Sequence, residues 1–537
     1  MMQKKINKYL IFSLLIFCFC IKVNGQVTLV SKLPIFNITT SGQIIKEEDK
    51  IVADMKVIDN IGKSNDINDL PTFESKIGIE IRGQTSIIFS ARLPFSVETR
   101  KSDGFTSDDV KLLGLPKEND WAFIAPYSDK TLIRDAFTYK LAKQIMPWAP
   151  SFKFAELVLN NEYEGVYMIT EKIKKSKNRV NIDPMNPNEN QGDSLTGGYI
   201  FALDKLSKGD NYFYSNISFT GISQKPYYVI NYPKPELITT SQNNYISKYI
   251  KDFETMMNSA QYNNSTTGYP SAIEVDTFVN FFLINELTKN VDGYRLSTFF
   301  KKDRNSINPK LSIASVWDFN IALGNADYCE GSSTSGWAYN FNNYCLSGLY
   351  SIPSWLVKLS KDPSFNSKMK SRWIELRKKE FKLDRMFSLI DSLKNEIGYE
   401  AIARNYKRYD ILNTHVWPNP QVAGSYEGEI TYLKNWLGDR VKWIDGQFGY
   451  VETGIESIDN DDNCFIFPNP VKDIIHLKTT MNIQKIEILD QIGRLVQNEI
   501  VMAPSQSDIP IDELINGIYF IKIYTPKGIF VEKFVKN

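Results

Sequence analysis

The run Leu311-Ser312-Ile313-Ala314-Ser315-Val316-Trp317-Asp318-Phe319-Asn320 passes from an apolar stretch into a carboxylate, with an amide two residues later. Extended chain alternates its side chains, so Asp318 and Asn320 leave the same side of it. Two hard oxygen donors so placed suit Mg²⁺ bound together with phosphate. Upstream, Asn290-Val291-Asp292 follows a segment with helical apolar spacing and adds a carboxylate that can accept a hydroxyl proton. On spacing alone a plainer alternative carries more weight: Asp292 caps a helix or turn, and Asp318 pairs with a structural arginine.

Only two histidines, His415 and His476, are present. Neither has a Ser, Cys or second ligand at a recognisable spacing, so a Ser-His-Asp triad and a His-based zinc site are nearly excluded. Any catalysis falls to carboxylates, Lys, Arg, Asn and a bound metal, the inventory of phosphoryl transfer or glycoside hydrolysis. With 63 basic against 62 acidic residues the net charge is +1, and no basic stretch interleaved with aromatics stands out. Nucleic acid is therefore not an expected partner.

The elements that must position these residues read as α+β. From Gln26 to about Ser75, short apolar runs alternate with turn residues (Val27 to Val30, Leu33 to Phe36, Ile51 to Ala53), a strand-rich leader over 26–75. Residues 76–448 mix strands and helices. Lys76 to Ile81 and Phe95 to Glu98 alternate as strands, Phe154 to Ile169 reads as a hairpin turning at Asn160-Asn161-Glu162, and Lys130 to Ile145 and Asp276 to Thr288 have helical spacing. Pro363 to Ile397 and Tyr426 to Trp443 form a late helical section, and acidic 449–463 reads as a linker.

Both ends carry export signals. Lys4, Lys5 and Lys8 precede an uncharged apolar run from Leu10 to Ile21, which is too short to span a bilayer and is followed by Val23-Asn24-Gly25. That predicts a signal peptide over 1–25, cleaved before Gln26, and no transmembrane segment in the mature chain. Of five cysteines, three remain after cleavage; Cys329 and Cys345 share one Gly-, Ser- and Asn-rich stretch and can be oxidised in an exported chain, although separation alone does not fix their distance. The last segment, 464–537, is all short strands and reads as a β-sandwich. Phe467-Pro468-Asn469-Pro470, Asp490-Gln491-Ile492-Gly493-Arg494-Leu495, Gly517-Ile518-Tyr519-Phe520 and Lys533-Phe534-Val535 stand there in order. The segment resembles the type A sorting domain of Bacteroidetes type IX secretion, which implies handling by that machinery and a secreted or outer-membrane surface location.

Between leader and linker further motifs keep a fixed order. They are Arg82-Gly83-Gln84-Thr85-Ser86, Leu113-Gly114-Leu115-Pro116, Asp120-Trp121, Ala125 to Lys130 with Arg134, Glu164-Gly165-Val166-Tyr167, Thr170-Glu171-Lys172-Ile173, Gly197-Gly198-Tyr199, Asp204, Asn290 to Tyr294 and Trp317-Asp318-Phe319-Asn320. The region resembles the CotH kinase family, distant relatives of protein kinases. The resemblance implies an atypical kinase-like central domain using ATP and Mg²⁺, with Asp292 catalytic, Asp318 binding metal and Asn320 a secondary ligand. Arg82, Arg92, Lys130, Arg134, Glu171 and Lys172 lie in or beside matching motifs and become candidates for cradling nucleotide phosphates. Arg92 stands where many relatives carry a Lys-Lys pair, and neither standard glycine-rich phosphate loop is present. The expected activity is phosphoryl transfer to exported or surface proteins. The alternatives are a catalytically silent surface scaffold on the same fold and, more weakly, a carboxylate-based carbohydrate-active protein.

Overall fold

The structure, a computed structural model, describes residues 27–217, 225–345, 350–452, 464–479, 482–499, 506–525 and 528–537. The signal-peptide segment 1–25 and most of the linker, 453–463, lie outside the described residues. The chain divides into two compact units, one ending at Tyr450 and one beginning at Val451.

The first unit begins with a closed barrel of seven strands: β1 (Ile35–Thr39), β2 (Ile51–Ile58), β3 (Phe73–Ile81), β4 (Phe95–Arg100), β5 (Asp120–Ile124), β6 (Phe152–Leu159) and β7 (Glu162–Glu171). Neighbours run antiparallel in the order β1-β2-β3-β4-β5-β7-β6, and β6 closes the ring by pairing parallel with β1, Ile35 opposite Glu156. Period-two alternation builds its interior: Phe36 and Ile38, Met55 and Val57, Ile77 and Ile79, Trp121 and Phe123, and Tyr167 and Ile169 share one buried cluster. The segment 26–75 is thus no separate leader, since β1 and β2 are barrel staves and a boundary at 75/76 cuts β3. The reason is chemical: an unclosed barrel would expose the unpaired edges of β3 and β6.

Phe152, Phe154, Val166 and Met168, on the other face of β6 and β7, join the barrel to the main core. That core lies against a five-stranded antiparallel sheet of β8 (Tyr199–Leu203), β9 (Asn211–Tyr214), β10 (Tyr227–Tyr232), β11 (Thr298–Lys302) and β12 (Leu311–Ser315), in the order β9-β10-β8-β11-β12. Every residue of β8 and β12 is buried, so neither shows the alternation of a half-exposed strand. The helices of two turns or more are α1 (Arg134–Ile145), α2 (Thr240–Asn258), α3 (Val275–Thr288), α4 (Ser354–Lys361), α5 (Pro363–Arg377), α6 (Leu383–Ile397), α7 (Tyr399–Arg408) and α8 (Tyr426–Phe448). Helix α3 is buried on nearly every side and ends on Lys289 in the left-handed region, φ +44°.

The expected hairpin forms as β6 and β7. The helix expected from Lys130 starts four residues later, because Asp129 folds the preceding residues into a turn and accepts the Arg134 N–H at 2.8 Å. The helical section from Pro363 is two helices, broken at Lys378–Lys382. Cys329 and Cys345 form a disulfide with their Cα atoms 5.0 Å apart. In the second unit, a three-stranded and a four-stranded sheet enclose one core that includes Ile475, Leu477, Ile488, Ile509, Ile521 and Phe534, the expected β-sandwich. Among the described residues no helix is long and apolar enough to cross a membrane.

Barrel closure gives a direct test. A chain begun at Lys76 loses β1 and β2, and it is expected to lack cooperative thermal unfolding and to precipitate, whereas a chain begun at Val27 melts cooperatively. Ile38→Ala, at a fully buried stave position, should lower stability by about 2–5 kcal/mol in denaturant titration.

Candidate functional site

Several strand ends deliver charge to one place. Arg82 follows β3, Lys172 follows β7, Asp204 and Lys205 follow β8, and Asp318 lies three residues past β12. Asp292 comes from the turn after α3, and α1 supplies Asp135 and Tyr139 from one face, four residues apart. The Arg82 guanidinium interacts with Asp318, Tyr139, Asp135 and Asp204 and lies 5.3 Å from the centre of the Trp317 ring.

Asp318 has a left-handed backbone, φ +64°. Three side chains grip the peptide groups on either side of it. Tyr139 Oη accepts from the Asp318 N–H at 3.4 Å, Asp135 Oδ1 accepts from the Phe319 N–H at 2.6 Å, and Asn290 Nδ2 donates to the Asp318 carbonyl at 3.0 Å. Asn290 also accepts from the Asp292 N–H at 3.1 Å, so one amide side chain spaces the two aspartates. Tyr139 stacks on Trp317 at 5.9 Å. The Asp292 carboxylate is held by Arg295, Nη2 to Oδ1 3.2 Å; Arg295 in turn bonds the Val291 and Tyr350 carbonyls.

The Asp318 carboxylate itself has no hydrogen bond and, among the described residues, no ion pair within 4.0 Å; nor have the Arg82 and Lys172 head groups. Burial raises the pKa of Asp318, and repulsion from Asp292 adds to it, against the pull of Arg82 and Lys205. Asp135 is raised by burial and then by Asp318. Burial lifts Asp204 to about 7, with Asp318 and Asp292 pushing the same way. On the cationic side, burial brings Lys172 down to about 8, with Asp120 opposing and Arg82 reinforcing. The ligand-free site is therefore over-supplied with negative charge at neutral pH.

A divalent cation fits this chemistry in one way. Among the described residues no group of three or more His, Cys, Asp or Glu side chains could hold a metal ion. Asp318 and Asn320 offer oxygen donors only, and Asn320 accepts at its carbonyl from Asn325 while its side-chain amide makes no hydrogen bond among the described residues. A cation held by these two residues would take its other ligands from phosphate and water, the habit of Mg²⁺ rather than of a zinc or calcium cage.

The remaining sequence candidates are placed elsewhere. Arg92, 1% exposed, donates to Asn405 Oδ1 at 3.1 Å and lies over the Tyr167 ring at 4.5 Å; Asn405 also accepts from the Val166 N–H, so Arg92 joins the barrel to α7. Lys130 donates to the Thr414 carbonyl at 2.7 Å, and Arg134 forms a fully buried pair with Asp129 at 2.6 Å. Glu171 accepts from the Ser151 N–H and pairs with buried Arg179 at 3.7 Å. These four side chains are bound into the scaffold, which corrects their assignment to a phosphate cradle: each has a fixed protein partner that a nucleotide would have to displace. Sequence reasoning gave no role to Asp135, Tyr139 or Lys205 and quoted Asp204 only as part of a motif. The four-residue spacing of Asp135 and Tyr139 was the available signal.

Beside Asp204 and Arg295, Leu203, Tyr227, Tyr350 and Ser351 wall a narrow recess of about 10 Å³, room for little more than one water molecule. Half-exposed Tyr212 and Tyr214 pack edge-on against Tyr227 at 5.8 and 6.3 Å.

A family model described as CotH kinase protein matches residues 79–444, and one described as secretion system C-terminal sorting domain matches residues 465–537. No curated protein matches the chain.

The surplus of negative charge has a measurable signature. A carboxyl whose pKa is raised on folding stabilises the native state fully below its unfolded value near 4 and loses that contribution as pH rises through the folded value. Asp318→Asn, which removes the repulsion and suits a left-handed residue, should match wild type in thermal stability near pH 4. It should exceed wild type by about 1–2 kcal/mol at pH 7.5 without ligand. Asp204→Asn should show the same sign, its gain developing between about pH 4 and the folded value of about 7.

Proposed function

The chain belongs to the CotH kinase family and carries a sorting domain that marks a secreted or surface-attached protein, and from that premise we propose that it is a Mg²⁺- and ATP-dependent phosphotransferase acting on hydroxyl groups of exported or surface proteins. The observation that supports this reading is the Asp318 carboxylate: half-buried, without a hydrogen-bond or ion-pair partner among the described residues, beside Asp292 and facing Arg82. When bound, Mg²⁺ and ATP supply the phosphoryl group and neutralise the charge that gathers on its oxygens.

The chain's own residues divide the remaining work. Asp318 with Asn320 would hold the cation, and Arg82 and Lys172 would hold the phosphates. Asp292, oriented by Arg295, takes the proton of the acceptor hydroxyl as its oxygen bonds the γ-phosphorus and the bridging P–O bond to ADP breaks. The two cations do not need a glycine-rich loop to act on phosphate, because both emerge at barrel-strand ends already stripped of much of their water. A second reading, a silent surface scaffold, draws on the Arg295–Asp292 pair, which satisfies the proposed base with a protein partner.

Calorimetric titration of the mature full chain with ATP and Mg²⁺, run beside transfer of labelled phosphate, separates the two. Wild type is expected to bind and to label itself or a generic acceptor such as dephosphorylated casein. Asp318→Ala should lose both binding and transfer, and Asp292→Asn should keep binding while transfer falls by about 10²-fold or more. Absence of nucleotide binding by wild type would overturn the phosphotransferase reading.

A further inference from the structure

We propose that Asp135 and Tyr139 of α1 are positioning residues that set the direction of the Asp318 carboxylate; this rests on the reading of Asp318 as a metal ligand. The argument starts from the backbone. A left-handed φ of +64° is unfavourable for a residue other than Gly, Asn or Asp and persists only where the surroundings over-determine it.

Here the determination comes chiefly from one helix. Asp135, 6% exposed, uses Oδ1 to accept the Phe319 N–H at 2.6 Å, while Tyr139, 1% exposed, accepts the Asp318 N–H and stacks on Trp317. Successive peptide groups of Trp317-Asp318-Phe319 are thus held by side chains one helical turn apart on α1. Asn290 closes the third side by bonding the Asp318 carbonyl.

The Phe319 N–H can bond Asp135 Oδ1 whether or not the other oxygen carries a proton. What the loop requires is a hydrogen-bond acceptor at that position, so an amide oxygen should serve where an alanine does not. Outer groups that orient a ligand in this manner are typically worth about 10- to 100-fold in metal affinity.

The test uses the mature full chain with Asp135→Ala, Asp135→Asn and Tyr139→Phe, after thermal melting shows each variant folded. Two quantities are measured: affinity for Mg²⁺ with ATP by calorimetry, and hydrogen exchange at the Phe319 amide in ligand-free protein. Asp135→Ala should weaken binding by about 10- to 100-fold and speed Phe319 exchange by about tenfold or more. Asp135→Asn should stay within a few-fold of wild type on both, and Tyr139→Phe, which keeps the ring but loses the acceptor, should fall between. Wild-type binding by Asp135→Ala overturns the inference, and so does equal loss in Asp135→Ala and Asp135→Asn, which would make charge rather than acceptance the cause. If wild type binds no nucleotide, the phosphotransferase reading fails on its own; unchanged Phe319 exchange in Asp135→Ala then overturns the brace as well, and faster exchange upholds it.

Discussion

The carboxylate of Asp129 is the point from which the arrangement of the first unit can be followed. It accepts from the Thr131 N–H and hydroxyl, from the Arg134 N–H and from the Arg134 guanidinium, all at 2.6 to 3.0 Å. A buried acid with that many donors is satisfied, and satisfaction makes its geometry rigid. It fixes where α1 starts, and therefore where Asp135 and Tyr139 point. The neighbouring Ser128 carbonyl accepts from Asn325 and Asn419, tying in the loop past Asp318 and the chain ahead of α8. Tyr406 and Tyr426 bond the Lys130 and Thr131 carbonyls, so the C-terminal helices are located by the same turn.

The site is built against its own stability. Three aspartates, Asp135, Asp204 and Asp318, surround one arginine, and burial in the ligand-free fold works against the ionisation of each. Scaffold charges elsewhere are treated differently. Glu286 meets Arg440, two backbone N–H groups and the Tyr294 hydroxyl, and Glu156 meets Arg404 through two bonds. The contrast between neutralised structural pairs and an unneutralised cluster separates a site from a core more sharply than burial does, because both are buried.

Much of the frame was readable where periodicity was local. The β6–β7 hairpin, α3 and the sandwich of the second unit each follow from spacing within a dozen or so residues. Asp292 and Asp318 were also visible, since both close apolar segments. Closure of the barrel was not, because the parallel pairing of β1 with β6 joins residues more than a hundred positions apart and no local pattern encodes it. Likewise Arg92, Lys130 and Arg134 look like phosphate ligands by charge alone; their partners Asn405, Thr414 and Asp129 decide otherwise, and two of those three are distant in sequence. Asp135 escaped notice because a lone acid in the first turn of a helix has an ordinary explanation in the helix dipole.

The Cys329–Cys345 bridge gives the chain a sense of place. Tyr328, next to the first cysteine, stacks on Trp417 and feels the charges of Asp292 and Asp318, so it walls the site where the bridged loop begins. Closing a loop with a separation of 16 residues restricts the open ensemble by about 3 kcal/mol, but only where thiols can oxidise. Before export the loop is an ordinary one; after it, the loop is stapled. The protein thus reaches its final stiffness only after it leaves a reducing compartment, and material kept there is an earlier stage of the same molecule.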